Sequence, residues 1–181
     1  MLTITNATPL KIYCPDNGIY PNSHLPVLLF KKAITIPHLF AAKKIKALFA
    51  KNNWGNAWDS GLFTYNHYHS ITHEVLAIYK GHTQLLLGGE NGCRIRIGAG
   101  DVLIIPAGVA HKNLGHEQDV GCIGAYPDGR DFDIHSGQPG ERPGTDKNIS
   151  LVPIPGEDPL LGNEYGVSFI WTAEIRAEPA V

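Results

Sequence analysis

Two histidines stand two residues apart in the run Gly61-Leu62-Phe63-Thr64-Tyr65-Asn66-His67-Tyr68-His69. Side chains alternate between faces along an extended chain, so His67 and His69 point the same way, together with Phe63 and Tyr65. Glu74 follows His69 by five residues, which strict alternation would send to the other face. A turn from Ser70 to His73 removes the conflict: Glu74 then opens the next antiparallel strand and faces back toward the pair. His111 comes just after Pro106-Ala107-Gly108, a turn able to redirect the chain toward the other three. Three imidazoles and a carboxylate suit zinc, iron, manganese, nickel or copper. The predicted cofactor is one divalent transition metal on His67, His69, Glu74 and His111, with Zn, Fe, Mn and Ni not separated by the sequence.

Four such ligands on an octahedral ion leave two positions open, and an open position separates a catalytic site from a closed structural one. Such a site can polarise a carbonyl, activate a water, or bind oxygen when the metal is iron. Around it, His73 is expected to point away from the metal or to support a ligand from behind; a shifted register would make it a ligand instead. Phe63 and Tyr65 share the ligand face, with core packing as the first expectation and pocket lining as the second. His73 and Tyr65 are the candidates for an acid or base beyond the ligands. His24, His38, His82, His116 and His135 have no partner pattern and read as surface or structural residues. Tyr126 has no mechanistic role in this reading.

The elements that must position these residues change character along the chain. Pro9 to Tyr13 and Leu25 to Phe30 read as short extended segments, broken by Pro15, Gly18 and Pro21. A helix is predicted near 38–52, with Pro37 at its first position and Ala41, Ile45, Leu48 and Phe49 at helical spacing. Its lysines are a solvated face. Trp54 and Trp58 cover the barrel near the helix. From Gly61 to Tyr126 short strands alternate with glycine-rich turns: Phe63–His69, Glu74–Lys80, Thr83–Leu87, Arg94–Ile97, Val102–Ile105 and Val120–Tyr126. Residues 127–148 read as a long loop. Ile149–Pro153 and Val167–Trp171 are expected to return as strands, and Ala177–Val181 to be loose.

The histidine run resembles the first cupin motif, G-x5-H-x-H-x4-E-x6-G, filled here by Gly61, His67, His69, Glu74 and Gly81. The second motif, G-x5-P-x-G-x2-H-x3-N, is filled by Gly100, Pro106, Gly108 and His111, with Gly115 in place of the final Asn. His73-Glu74-Val75-Leu76, Gly100-Asp101-Val102-Leu103, Gly124-Ala125-Tyr126-Pro127 and Asp158-Pro159-Leu160-Leu161-Gly162 are similar to the bacterial YjlB-type single-domain cupins. The resemblance implies an all-β fold, an antiparallel double-stranded β-helix (cupin or jelly-roll barrel) with one short N-terminal helix. It implies one domain over 1–181: N-terminal strands and helix at 1–59, the metal-binding barrel core at 60–126, the loop at 127–148 and returning strands at 149–176. It also implies pairing as a homodimer through the N-terminal strands. Cupins include oxygenases, isomerases, decarboxylases and non-catalytic proteins, so fold and metal site follow more firmly than reaction.

The 181 residues are 43% hydrophobic and 18% charged, with a net charge of −2, enough apolar material for one core. That charge gives no case for nucleic acid or an acidic membrane surface. No stretch approaches the ~20 apolar residues of a membrane span, and the N-terminus has no signal-peptide pattern. Cys14, Cys93 and Cys122 lack a C-x-x-C and read as reduced thiols of a cytoplasmic protein. The leading expectation is a metal-dependent enzyme, of oxygenase or isomerase type, acting on a small organic molecule inside the barrel. The alternative is a non-catalytic cupin that binds a metal and a small ligand.

Overall fold

The computed structural model describes residues 1–5 and 8–177. Its framework is an antiparallel sheet that folds over on itself through one long strand. Strands β1 (Leu10–Cys14), β2 (Ser23–Phe30), β3 (Trp54–Ser60), β4 (Glu74–Leu87), β5 (Cys93–Gly98), β6 (Val102–Ile105), β7 (His111–Asn113) and β8 (Val120–Pro127) make up the sheet. The main path runs β1-β2-β6-β4-β8-β3. The first half of β4 pairs with β6 and β8, and its second half pairs with β5 and β7. One strand thus belongs to both walls, which makes the jelly-roll barrel. No helix among the described residues is long and apolar enough to cross a membrane.

Both faces of the main sheet are buried, which explains near-continuous apolar runs such as Val-Leu-Leu-Phe in β2 and Val-Leu-Ile-Ile in β6. Alternate residues serve different cores. Val27, Leu29, Leu76, Ile78, Leu103, Ile105 and Cys122 fill the barrel interior. Leu28, Phe30, Val75, Ala77, Val102, Ile104, Ile123 and Ala125 face outward under the helices. Helix α1 (Ala41–Lys51) seats Ile45 and Phe49 on that outer face, and α3 (Val167–Ala177) adds Val167, Ile170 and Trp171. A short helix, α2 (Gly144–Ser150), packs Ile149 against Tyr20, Tyr68 and Ala110.

Several sequence expectations change here. The segments Ile149–Pro153 and Val167–Trp171 do not return as strands. Ile149 lies in α2 and Val167–Trp171 in α3, because Val167, Ile170 and Trp171 have the three-to-four spacing of one helix face. The barrel is closed by the N-terminal strands β1, β2 and β3, not by the C-terminal region. Trp54–Ser60 is a strand although Gly, Asn and Asp disfavour one; pairing with β8 overrides local propensity. Trp54 does meet the helix side, but Trp58 turns inward. Glu74–Lys80 and Thr83–Leu87 form one strand that passes through Gly81. Phe63–His69 is not a regular strand: His67 and Tyr68 make single bridges, to His111 and His135. The helix starts at Ala41 after Phe40 in the left-handed region, not at Pro37. Of the tail expected to be loose, Ala177 ends α3, and 178–181 lie outside the described residues.

Candidate metal centre

Strand parity carries Glu74 into the barrel. It shares the inward face of β4 with Leu76 and Ile78, and it opens the strand directly after the bends at Ser70 and Ile71. His67 and His111 are joined by a pair of backbone hydrogen bonds, 3.2 and 2.9 Å long. The turn before His111 works as expected: Gly108 has φ 91, a conformation glycine adopts without penalty, and its N–H bonds to the His69 carbonyl at 2.8 Å. The candidate ligand atoms of His67, His69 and His111 lie within 4.8 Å of one another, all three residues buried. Glu74 Oε2 approaches His69 Nε2 at 3.4 Å and His111 Nε2 at 3.3 Å. All four residues singled out in the sequence therefore meet, with Glu74 joined to the cluster through His69 and His111.

The outer nitrogens decide which inner atoms are free. His67 Nδ1 lies 3.2 Å from the Tyr65 carbonyl, and His111 Nδ1 lies 3.0 Å from that of Val109. His69 Nδ1 is bonded to the Asp133 carbonyl. A carbonyl only accepts, so each Nδ1 carries the proton and each Nε2 presents a lone pair inward. His69 Nε2 is buried and makes no hydrogen bond. Lone pairs of imidazole and carboxylate facing one another at 3.3–3.4 Å require a cation among them. A divalent metal fits that donor set; a proton is the other cation that does. Burial works against a charge on His69, but the Glu74 carboxylate outweighs it and raises its pKa. Burial likewise opposes ionised Glu74, yet His69 and His111 hold its carboxyl far below the usual range. His67 is pushed down to about 3 by burial and by His111, so it stays neutral.

Four contributors were not legible in the sequence. Tyr126 donates its hydroxyl to Glu74 Oε1 at 3.0 Å, and Trp58 Nε1 donates to the Tyr126 oxygen at 3.0 Å. This chain leaves Oε2 for the imidazoles. Trp58 can lie there because residue 124 is glycine: a Cβ would stand 2.1 Å from the indole. Asp133 anchors the loop to the site. Its carboxylate takes the Ser70 N–H at 2.6 Å, the Ser70 hydroxyl, and His135 Nε2 at 2.9 Å, while its carbonyl takes His69. Phe132 stacks on Tyr126 with centroids 4.9 Å apart and meets His69 edge-on.

The remaining predicted residues divide. His73 faces away, as expected: Nδ1 accepts from the Ala107 N–H at 2.9 Å, and its ring packs on Trp171. The shifted register is excluded. Phe63 and Tyr65 are not core residues but stack on each other at the exposed mouth; Phe63 lines the cavity. Gly115, where the motif has Asn, sits against Asp119 Oδ2 and Thr83 Oγ1, leaving no room for a side chain without a shift. The cluster of His67, His69, His111 and Glu74 lies in a cavity of about 360 Å³ walled by Trp58, Leu62, Phe63, Leu76, Leu85 and Phe132.

The chain is similar to known proteins over part or most of its length. It is 35% identical over 160 residues to the uncharacterised protein YjlB of Bacillus subtilis (strain 168), covering 88% of this chain and 94% of the relative. No family model matches. Among solved structures, an acireductone dioxygenase from Bacillus anthracis with a cadmium ion in its active centre has a TM-score of 0.37 at 17% identity, over 50% of this chain and 61% of that one. A DUF861 family protein from Thermotoga maritima has a TM-score of 0.32 at 22% identity, over 55% of this chain and 96% of that one.

Proposed function

This chain belongs to the YjlB family, and on that footing we propose a metal-dependent cupin that acts on a small organic molecule inside its barrel by oxygenase or isomerase chemistry. One observation carries the reading: three imidazoles, each fixed by a backbone carbonyl behind it, aim bare Nε2 atoms at one buried point beside Glu74. When bound there, a divalent metal would supply Lewis acidity and open positions for a ligand oxygen. The protein's part is orientation. Tyr126 holds the Glu74 carboxylate, the Asp133 loop holds His69, and aromatic side chains line the cavity.

A non-catalytic binding cupin is favoured by a different observation. The residues flanking the ligands offer no evident acid or base: His73 faces away, and Tyr126 is bound to Glu74, with burial first and then the Glu74 charge raising its pKa. The test is metal analysis of protein purified without added metal, then a turnover screen of small carbonyl and hydroxy-acid compounds with iron, manganese, nickel and zinc forms. About one equivalent of metal and turnover with one of them is the expected result. Tight binding of a compound returned unchanged by every form would replace the enzyme reading with the binding one.

Among the described residues β1 is an edge strand, and its exposed Leu10 and Tyr13 support a homodimer, which sedimentation equilibrium would test. Three unpaired cysteines support a reducing, cytoplasmic setting.

A further inference from the structure

The cavity above the imidazoles has a composition that selects among ligands. We infer that it takes a small, largely apolar molecule bearing a single negatively charged oxygen head, and that Phe132 is the wall that selects it. This rests on the metal reading above.

Charge is the first argument. Three neutral imidazoles, one carboxylate and a divalent ion leave a net charge of +1 in a buried site. One anionic oxygen neutralises it. A second buried negative charge would need its own cation, because an uncompensated buried ion is strongly disfavoured. Of the described lining residues outside the cluster, Lys112 alone is cationic, and its Nζ is tied to Glu90 at 2.9 Å. The cavity therefore has no unengaged cationic side chain to receive a second carboxylate or a phosphate.

The walls give the second argument. Among the described residues, the polar side chains along them other than Ser60 are engaged within the protein. Asn113 Oδ1 takes the Thr83 hydroxyl and the Gly115 N–H, its Nδ2 bonds to the His116 carbonyl, and Asn56 Nδ2 bonds to that of Arg130. A sugar-like ligand would bury hydroxyls against Trp58, Leu62, Leu76, Leu85 and Phe132 with few partners, and unpaired buried polar groups are costly. Apolar surface is also waiting to be covered at the mouth: Phe63 is 40%, Phe132 40% and Ile134 45% exposed. Exposed apolar side chains grouped around a cavity mark a ligand surface. The 360 Å³ volume corresponds to about a dozen water volumes, which sets the size of the guest.

Phe132 is placed to read the guest. It touches both Tyr126 and His69 but is not a candidate ligand, so its loss alters the wall while leaving the metal donors in place. The experiment is calorimetric titration of cobalt-loaded protein with benzoate, cyclohexanecarboxylate, succinate and glucuronate, with cobalt absorption followed in parallel. The two apolar monoanions should bind at least tenfold tighter than succinate or glucuronate and shift the cobalt spectrum. Phe132→Ala should weaken benzoate about tenfold with cobalt stoichiometry unchanged, and Phe132→Leu should restore most of that loss. Equal binding of succinate or glucuronate, no binding of either apolar monoanion, or indifference to Phe132→Ala overturns the inference. Failure to hold one equivalent of cobalt sinks the metal reading separately. In that event the same titration on metal-free protein decides: the apolar preference retained supports the selecting wall, and its absence overturns it.

Discussion

The sheet around Glu74 has two faces, and each holds a buried histidine near the same stretch of chain. On the inner face, His69 is 5% exposed and its Nε2 has no hydrogen-bond partner. On the outer face, His73 is 3% exposed, but both nitrogens meet main-chain groups, the Ala107 N–H and the Pro153 carbonyl. Burial is therefore the same and satisfaction is not. His73 is a structural residue because its polar atoms are matched within the fold. His69 belongs to a site because its inward lone pair is matched by nothing in the chain but other lone pairs. Buried polar atoms in native proteins are nearly always paired, so the exception is the informative one.

The largest effect that could break this contrast is on metal binding. Replacing His69 and His111 together with Ala should abolish stoichiometric metal, a loss of more than about a thousandfold in affinity, because two of the converging donors go. Inductively coupled plasma analysis of the dialysed variant checks it. A full equivalent retained would show that the inner face is not the binding face. His73→Ala should do the reverse: it should keep the metal and lose about 3 kcal/mol of stability, from the space left against Trp171 and the orphaned Ala107 N–H. Urea denaturation of metal-free protein reads that difference.

Acid sharpens the contrast with a smaller effect. Burial, the dominant cause, holds His73 down to about 3 in the fold, against about 6.5 for an unfolded chain. The unfolded state then binds the extra proton, so this contribution is complete above pH 6.5 and is lost as pH falls toward 3. At pH 5 the loss is about 2 kcal/mol. Metal-free wild type should therefore lose about that much more stability than His73→Gln between pH 7 and 5. Equal losses would mean that His73 is not held neutral. Metal should also leave as the pH falls, since protons compete for the inner Nε2 lone pairs.

Which parts were legible follows from how each contact is made. His67, His69, Glu74 and His111 could be read because two local rules, strand alternation and turn placement, bring them together. The fold class was legible for the same reason: spaced glycine turns between short apolar runs. Tyr126 was not, because only the register of β4 on β8 reveals it. Val75 pairs with Ala125 and Leu76 with Gly124, which sets Tyr126 opposite Glu74, a relation across about fifty residues of chain. Asp133 and Phe132 lie in an irregular segment whose path depends on the Tyr68–His135 bridge. The helix at Val167–Ala177 begins Val-Ser-Phe-Ile-Trp, mostly residues that favour strands, and its burial against β2 decides otherwise.

The smallest effect tests whether the inner face needs its support as well as its donors. Tyr126→Phe keeps ring, volume and the stack on Phe132, and removes one hydroxyl. That hydroxyl donates to Glu74 Oε1 while Oε2 faces His69 and His111. Without it the carboxylate loses the bond that fixes its rotation, and Trp58 Nε1 loses its acceptor. Outer partners of metal ligands are commonly worth 10- to 100-fold in affinity, and a carboxylate already confined by burial belongs at the lower end. The expected loss is about tenfold, near 1.4 kcal/mol, read by competition with a chelator of known affinity. Glu74→Gln supplies the scale, since it removes the charge itself and should cost more. If Tyr126→Phe binds metal as wild type does while Glu74→Gln does not, the carboxylate is a donor held by burial alone. If neither variant loses affinity, the three imidazoles form the whole site and Glu74 is not a donor.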